Sequence, residues 1–173
     1  MGLGILRRYY TLIGKPYYQN IRTGLLVLNF IVQRIFRINC SVPFSVHFTS
    51  TVKGFSNMKL GSNIPAVFAV STSANIQVFD NTVLEIGDNT IWANNVCIIT
   101  GNHEFLDRSK YDCKSVRIGK NCWLGNNVTI LPGVELGDNV SVGANSVVTK
   151  SFGSNVVIAG CPAKIIRQVG VSS

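Results

Sequence analysis

The sequence predicts an all-β fold, a parallel β-helix, and three regularities predict it. Aliphatic residues recur every six positions at Ile118, Leu124, Ile130, Leu136, Val142 and Val148. Gly119, Gly125, Gly137 and Gly143 follow one place later. Asn121, Asn127, Asn139 and Asn145 hold the fourth place, with Gly133 standing in once, and Cys122, Val128, Val134, Val140 and Ser146 hold the fifth. A period of six fits neither one face of a helix nor plain strand alternation. It fits a short strand followed by a corner, three such sides closing a triangular coil of about 18 residues. The aliphatic residue then points inward, and Asn or Gly at the fourth place suits the positive φ that other L-residues avoid.

Along the chain, residues 1–37 form a basic, apolar N-terminal segment. Gly24 to Ile38 predicts a helix with Thr23 as its N-cap. Its apolar run is far short of the roughly 20 residues that span a bilayer. Arg7 and Arg8, followed by Tyr9, Tyr10 and polar residues, do not make a signal peptide. The β-helix is expected over residues 38–160, starting between Ile38 and Val46, with room for about six or seven coils. Within it, His47 reads as a structural histidine facing outward from a strand. Leu60 to Ile64 reads as a hexad, continued less cleanly by Ala66, Thr72, Ile76 and Val78. Ile86 to Thr90 and Trp92 to Val96 are clean, with Trp92 expected at a corner. The phase slips between Val78 and Ile86 and again between Ile98 and Ile118, which predicts a protruding loop near 101–115. Residues 161–173 remain as a C-terminal extension.

Composition narrows the function. Charged residues are only 14% and mean hydropathy is +0.28, as a coil burying one side of every strand requires. The five cysteines lack CxxC spacing and read as reduced packing residues of a cytoplasmic chain, with no zinc site expected. The net charge of +8 lies wholly in residues 1–79, which carry no Asp or Glu. Two readings of the N-terminal segment stand beside each other: a cap over the first coil, or a peripheral contact with anionic lipid at the inner face of the membrane. The dispersed basic residues match no nucleic-acid module.

The slip after Ile98 carries the chemistry, because polar residues interrupt a disciplined repeat there. It holds His103, one of two histidines, and a neutral imidazole is the natural general base near neutral pH. Glu104 beside it is a candidate to fix the tautomer.

Three pieces of this chain resemble the left-handed β-helix, hexapeptide-repeat acyltransferases, above all the branch that O-acetylates sugars and capsular polysaccharides. They are Ile86-Gly87-Asp88-Asn89 with Gly101-Asn102-His103 downstream, the block Ile118 to Lys150, and the ending Val156 to Arg167 with its Gly160-Cys161-Pro162-Ala163-Lys164 turn. The resemblance implies acetyl transfer from acetyl-CoA to a sugar or polysaccharide-precursor hydroxyl in a direct ternary complex, with His103 as base and no metal. It implies an oxyanion donor, which Ser73, Asn75 or a backbone amide could supply, where this chain departs from the asparagine of better-known members. It also implies that Trp123, Asn126, Ala144 and Thr149 line the pantetheine arm, and that Lys150, Lys164 and Arg167 meet the phosphates. It implies a homotrimer with active sites between chains. N-acetylation of an amino-sugar or serine-like amine, and a non-enzymatic β-helix scaffold, stand as alternatives. A γ-class carbonic anhydrase needs three histidines per site, and the chain has two.

Overall fold

The six-residue period becomes three strand faces. In the computed structural model, which describes residues 14–170, the chain is mostly sheet and visits three parallel faces in rotation. The first face stacks Thr51–Lys53, Asn75–Gln77, Cys97–Ile99, Thr129–Ile130 and Val147–Val148. The second stacks Met58–Leu60, Leu84–Ile86, Val116–Ile118 and Glu135–Leu136, extended by a bridge from Leu136 to Phe152. The third stacks Ile91–Trp92, Trp123–Leu124, Ser141–Val142 and Val156–Gly160, with Ala163–Gln168 folding back antiparallel on the last. The hexad aliphatics Ile118 to Val148 are 0–2% exposed and pack on one another up the axis, with Val128, Val134 and Val140 beside them.

The corners explain the polar places of the hexad. Asn121, Asn127, Asn139 and Asn145 have φ of 54–60° and Gly133 has φ of 83°. The Asn127 amide accepts from Asn95 at 2.9 Å and donates to Asn145 at 2.8 Å, so one corner is stitched along the axis by side chains. The second-place glycines answer to crowding. A Cβ on Gly119 would stand 2.5 Å from Asp138 Oδ1 and 2.6 Å from the Gly137 carbonyl carbon, so only a bare Cα lets the coils close there.

The early chain departs from the expected repeat. The Leu60–Ile64 hexad ends in helix: Ile64–Val70 is α-helical and occupies the third face where a strand was expected. Pro65 in its first turn suits a helix start, and no corner Asn or Gly interrupts the apolar run up to Val70. Phe68 of this helix meets the Trp92 ring edge-on at 5.0 Å, so Trp92 is an inward wall residue and not a corner. The first face has five strands, fewer than the six or seven coils expected, because this helix and residues 101–113 consume chain without adding turns.

The N-terminal helix, α1, covers Thr23–Arg34, with Arg22 and not Thr23 at the cap. The other helix, Ile64–Val70, is α2. α1 turns Asn29 and Gln33 inward. Asn29 Nδ2 donates to Ser45 Oγ and the Ala69 carbonyl, and its Oδ1 accepts from the Phe48 amide. Gln33 donates to the Phe44 carbonyl and accepts from the Val46 amide. His47 is buried instead of facing outward, stacked on Phe48 at 4.5 Å with Nδ1 2.9 Å from Thr49 Oγ1. The readings on Arg7, Arg8, Tyr9 and Tyr10 lie outside the described residues.

Candidate active site

The chemistry-bearing slip is a hairpin standing on one edge of the coil. Gly101–His103 pairs antiparallel with Tyr111–Cys113, so His103 faces Tyr111 across the ladder. Its stem leaves the corner between the first and second faces, which Asn81 and Gly133 turn in neighbouring coils. Thr100 anchors the stem, its hydroxyl 2.6 Å from that of Thr82 and its carbonyl accepting from the Lys114 amide at 2.8 Å. The Asp107 carboxylate accepts from the Ser109 hydroxyl and amide. Those bonds and Lys110 hold it below the usual carboxylate range. Phe105 and Leu106 project from the tip into solvent.

His103 is exposed, and its orientation is set by two neighbours. Nδ1 lies 2.7 Å from the Arg108 carbonyl oxygen. A carbonyl only accepts, so Nδ1 carries the proton and Nε2 presents its lone pair outward. The ring packs on Tyr111 at 4.5 Å, and Tyr111 packs on Phe79 of the coil at 5.2 Å. The tautomer is therefore held by the Arg108 carbonyl and not by Glu104, whose carbonyl accepts from the Arg108 guanidinium instead. Sequence reading missed Arg108, Tyr111 and Phe79. Alternation across a 101–113 hairpin would have placed Tyr111 opposite His103.

The remaining candidates fall into two groups flanking the first face. Trp123 stands half-exposed in the third face, in register with Ser141. Ser141 pairs with Val157, and Val157 with Arg167. Three strand spacings, about 14 Å, thus separate Trp123 from Arg167 in one row. Lys164 lies on the same returning strand. Asn126 and Ala144 are exposed beside the left-handed corner residues Asn127 and Asn145, and the Asn126 side chain accepts from the Asn94 amide at 3.0 Å. Thr149 and Lys150 lie instead on the edge where the hairpin stands, two strands from its stem, because Ile98 pairs with Ile130 and Ile130 with Val148. The Lys150 ammonium sits 5.7 Å above the Phe152 ring. No carboxylate pairs with Lys150, Lys164 or Arg167 among the described residues. Three unpaired cations and a half-exposed tryptophan suit a polyanionic ligand with an apolar arm.

Ser73 and Asn75 lie in the strand row ahead of the hairpin. Ser73 has φ of 55° and takes the corner place that Asn95 and Asn127 hold in later coils. Asn75 pairs with Cys97 on the first face, and its Oδ1 accepts from Gln77 at 2.9 Å. Within one chain, Gln77 is closer along the strand to the hairpin stem, its carbonyl accepting from the Thr100 amide at 3.1 Å. Burial raises the thiol pKa values of Cys97 and Cys122, which keeps both protonated and poorly nucleophilic. Cys40 and Cys161 are exposed, against the packing role expected of the cysteines. No cluster among the described residues is suited to hold a metal ion.

Comparison with known proteins decides the family. Residues 115–150 match the family model "Bacterial transferase hexapeptide (six repeats)". The chain is 32% identical over 172 residues to the Escherichia coli K12 protein named "Putative lipopolysaccharide biosynthesis O-acetyl transferase WbbJ", covering 83% of this chain and 86% of that protein. The chain belongs to the hexapeptide-repeat acetyltransferases. This acetyltransferase is also 39% identical over 118 residues to the galactoside O-acetyltransferase of E. coli K12, across 66% of its own length but only 55% of that relative's. In structure it is similar to a galactoside acetyltransferase solved in complex with coenzyme A, with TM-score 0.59, 27% identity, and coverage of 87% of this chain and 85% of that one.

Proposed function

We propose that the protein moves acetyl from acetyl-CoA to a hydroxyl of a sugar or polysaccharide precursor. The observation that carries the reading is the 2.7 Å contact from His103 Nδ1 to the Arg108 carbonyl, which leaves Nε2 free to accept a proton. As the acceptor oxygen attacks the thioester carbonyl, Nε2 takes the hydroxyl proton. The C–O bond forms, the carbonyl becomes an oxyanion, and its collapse expels the CoA thiolate, which recovers the proton from the imidazolium. Proton removal in step with attack contributes about 10²–10⁴ in rate. Burial keeps the Cys97 and Cys122 thiols protonated, which makes those two poor carriers of the acetyl group. Asn75 is the better candidate for the oxyanion donor, since its amide nitrogen has no acceptor among the described residues. Ser73 is the alternative.

We read the coil as left-handed and the assembly as a trimer. The two groups of cofactor candidates stand on different edges of one chain, and a neighbour would bring the Trp123–Arg167 row of one copy against the His103–Lys150 edge of another. Acetyl-CoA would lie between them, its phosphates on Lys150, Lys164 and Arg167 and its arm along Trp123, Asn126, Ala144 and Thr149. Peripheral contact with a membrane through residues 1–37 belongs to the same reading and suits a lipid-linked acceptor. Thiol release from acetyl-CoA, measured against free, nucleotide-linked and lipid-linked sugars and against amino-sugar controls, tests it. Release with hydroxyl acceptors is expected. Release only with amines would replace it by N-acetylation, and none with any acceptor would defeat it.

A further inference from the structure

The N-terminal helix is turned inside out. α1 buries Leu26, Asn29 and Gln33 and shows solvent Val27, Leu28 and Phe30, the last 61% exposed. At about 100° per residue, Phe30, Val27 and Leu28 span roughly 160° of its circumference. The apolar run continues beyond the helix through Ile35 at 67% and Phe36 at 69% exposure. This orientation is fixed, because the inward amides of Asn29 and Gln33 are committed to Ser45, Ala69, Phe48, Phe44 and Val46. Rotating the helix to hide Phe30 would strand those polar groups. Beside it opens a cleft of about 380 Å³ walled by Tyr18, Val27, Phe30 and Phe44. Contiguous apolar surface of this kind marks a contact.

Charge selects the occupant. Lys15 and Arg34 line the cleft, Arg22 caps the helix, and Arg37 stands exposed in the apolar run. No carboxylate pairs with these four among the described residues, and none occurs in residues 1–79. A second copy seated face to face on this surface would set like charges against one another. An anionic bilayer offers a hydrocarbon boundary for the phenylalanines and phosphates for the cations. No helix among the described residues is long and apolar enough to cross a membrane, so such contact lies in the plane of the surface.

We infer that the outward face of α1, with Ile35 and Phe36, is a docking surface for an anionic phospholipid bilayer. The inference rests on the membrane contact in the functional reading and is independent of the acetyl-transfer step. The full-length protein is sedimented with vesicles of phosphatidylcholine alone or mixed with phosphatidylglycerol, at low and high salt. Binding at least about tenfold stronger to the anionic vesicles, and weakened by salt, is expected. The paired substitutions Phe30→Ser and Phe36→Ser lower it about tenfold or more while circular dichroism and acetyl transfer to a soluble acceptor persist. Absence of wild-type binding to anionic vesicles, binding indifferent to charge, or binding untouched by the substitutions overturns the inference. So does a changed subunit number by light scattering, which would make this face a contact between chains. Acetyl transfer in solution is read separately, so loss of docking and loss of catalysis are told apart.

Discussion

The two histidines of this chain show how local partners divide one residue type between two roles. His103 is exposed, with its proton directed at a backbone carbonyl 2.7 Å away. His47 is buried against Phe48, and burial lowers its pKa. The unfolded chain therefore binds a proton that the folded chain resists. Stability is fully present above the ordinary value of 6.5 and is lost as pH falls below it. Urea midpoints compared above and below that pH should drop on acidification in the wild type and drop less in His47→Gln. Equal drops would remove His47 from the acid response. Lys150 and Arg167, lacking carboxylate partners, are expected to bind the cofactor phosphates. Lys150→Ala or Arg167→Ala should each raise KM for acetyl-CoA about tenfold, or about 1.4 kcal/mol, with KM for the acceptor nearly unchanged. A change confined to the acceptor constant would misplace the cofactor groove.

At the scale of elements, sequence and structure agree where spacing dictates geometry. From Ile118 to Val148 every inward residue, and each corner with φ near 60°, was legible from the six-residue period, because coil stacking permits no slip. The period misleads at Leu60–Ile64, where a hexad-like opening leads into α2. Ile, Val and Phe serve a buried strand and a buried helix alike, and only Pro65 and the missing corner residue distinguish them. α1 was legible as a helix but not in its facing, since burying Asn29 and Gln33 depends on carbonyls and amides supplied from Phe44 to Phe48 and from Ala69. Asn29→Ala would leave the Phe48 amide and Ala69 carbonyl without their partner. It should destabilise the fold by about 2–4 kcal/mol in chemical denaturation. A loss under about 0.5 kcal/mol, the usual size at surface sites, would show that the helix is not seated by that side chain.

For the whole molecule, His103 was legible as the chemical group because it breaks a regular pattern, whereas its support was not. Arg108, Tyr111 and Phe79 reach it through hairpin pairing and ring contact across distant positions. The separation of the Trp123–Arg167 row from the Thr149–Lys150 edge is likewise a property of three dimensions. It leads to the expectation that a single chain is incomplete. Light scattering should return three times the chain mass of 18.8 kDa, and a fully active monomer would contradict the shared cleft. The cleft in turn is only as good as the base it serves. Turnover of His103→Ala at saturating acetyl-CoA, with coenzyme A affinity followed by tryptophan fluorescence, tests that base most directly. A fall in kcat of about 10²–10⁴ with coenzyme A binding preserved is expected, and undiminished turnover in that variant would remove His103 as the base.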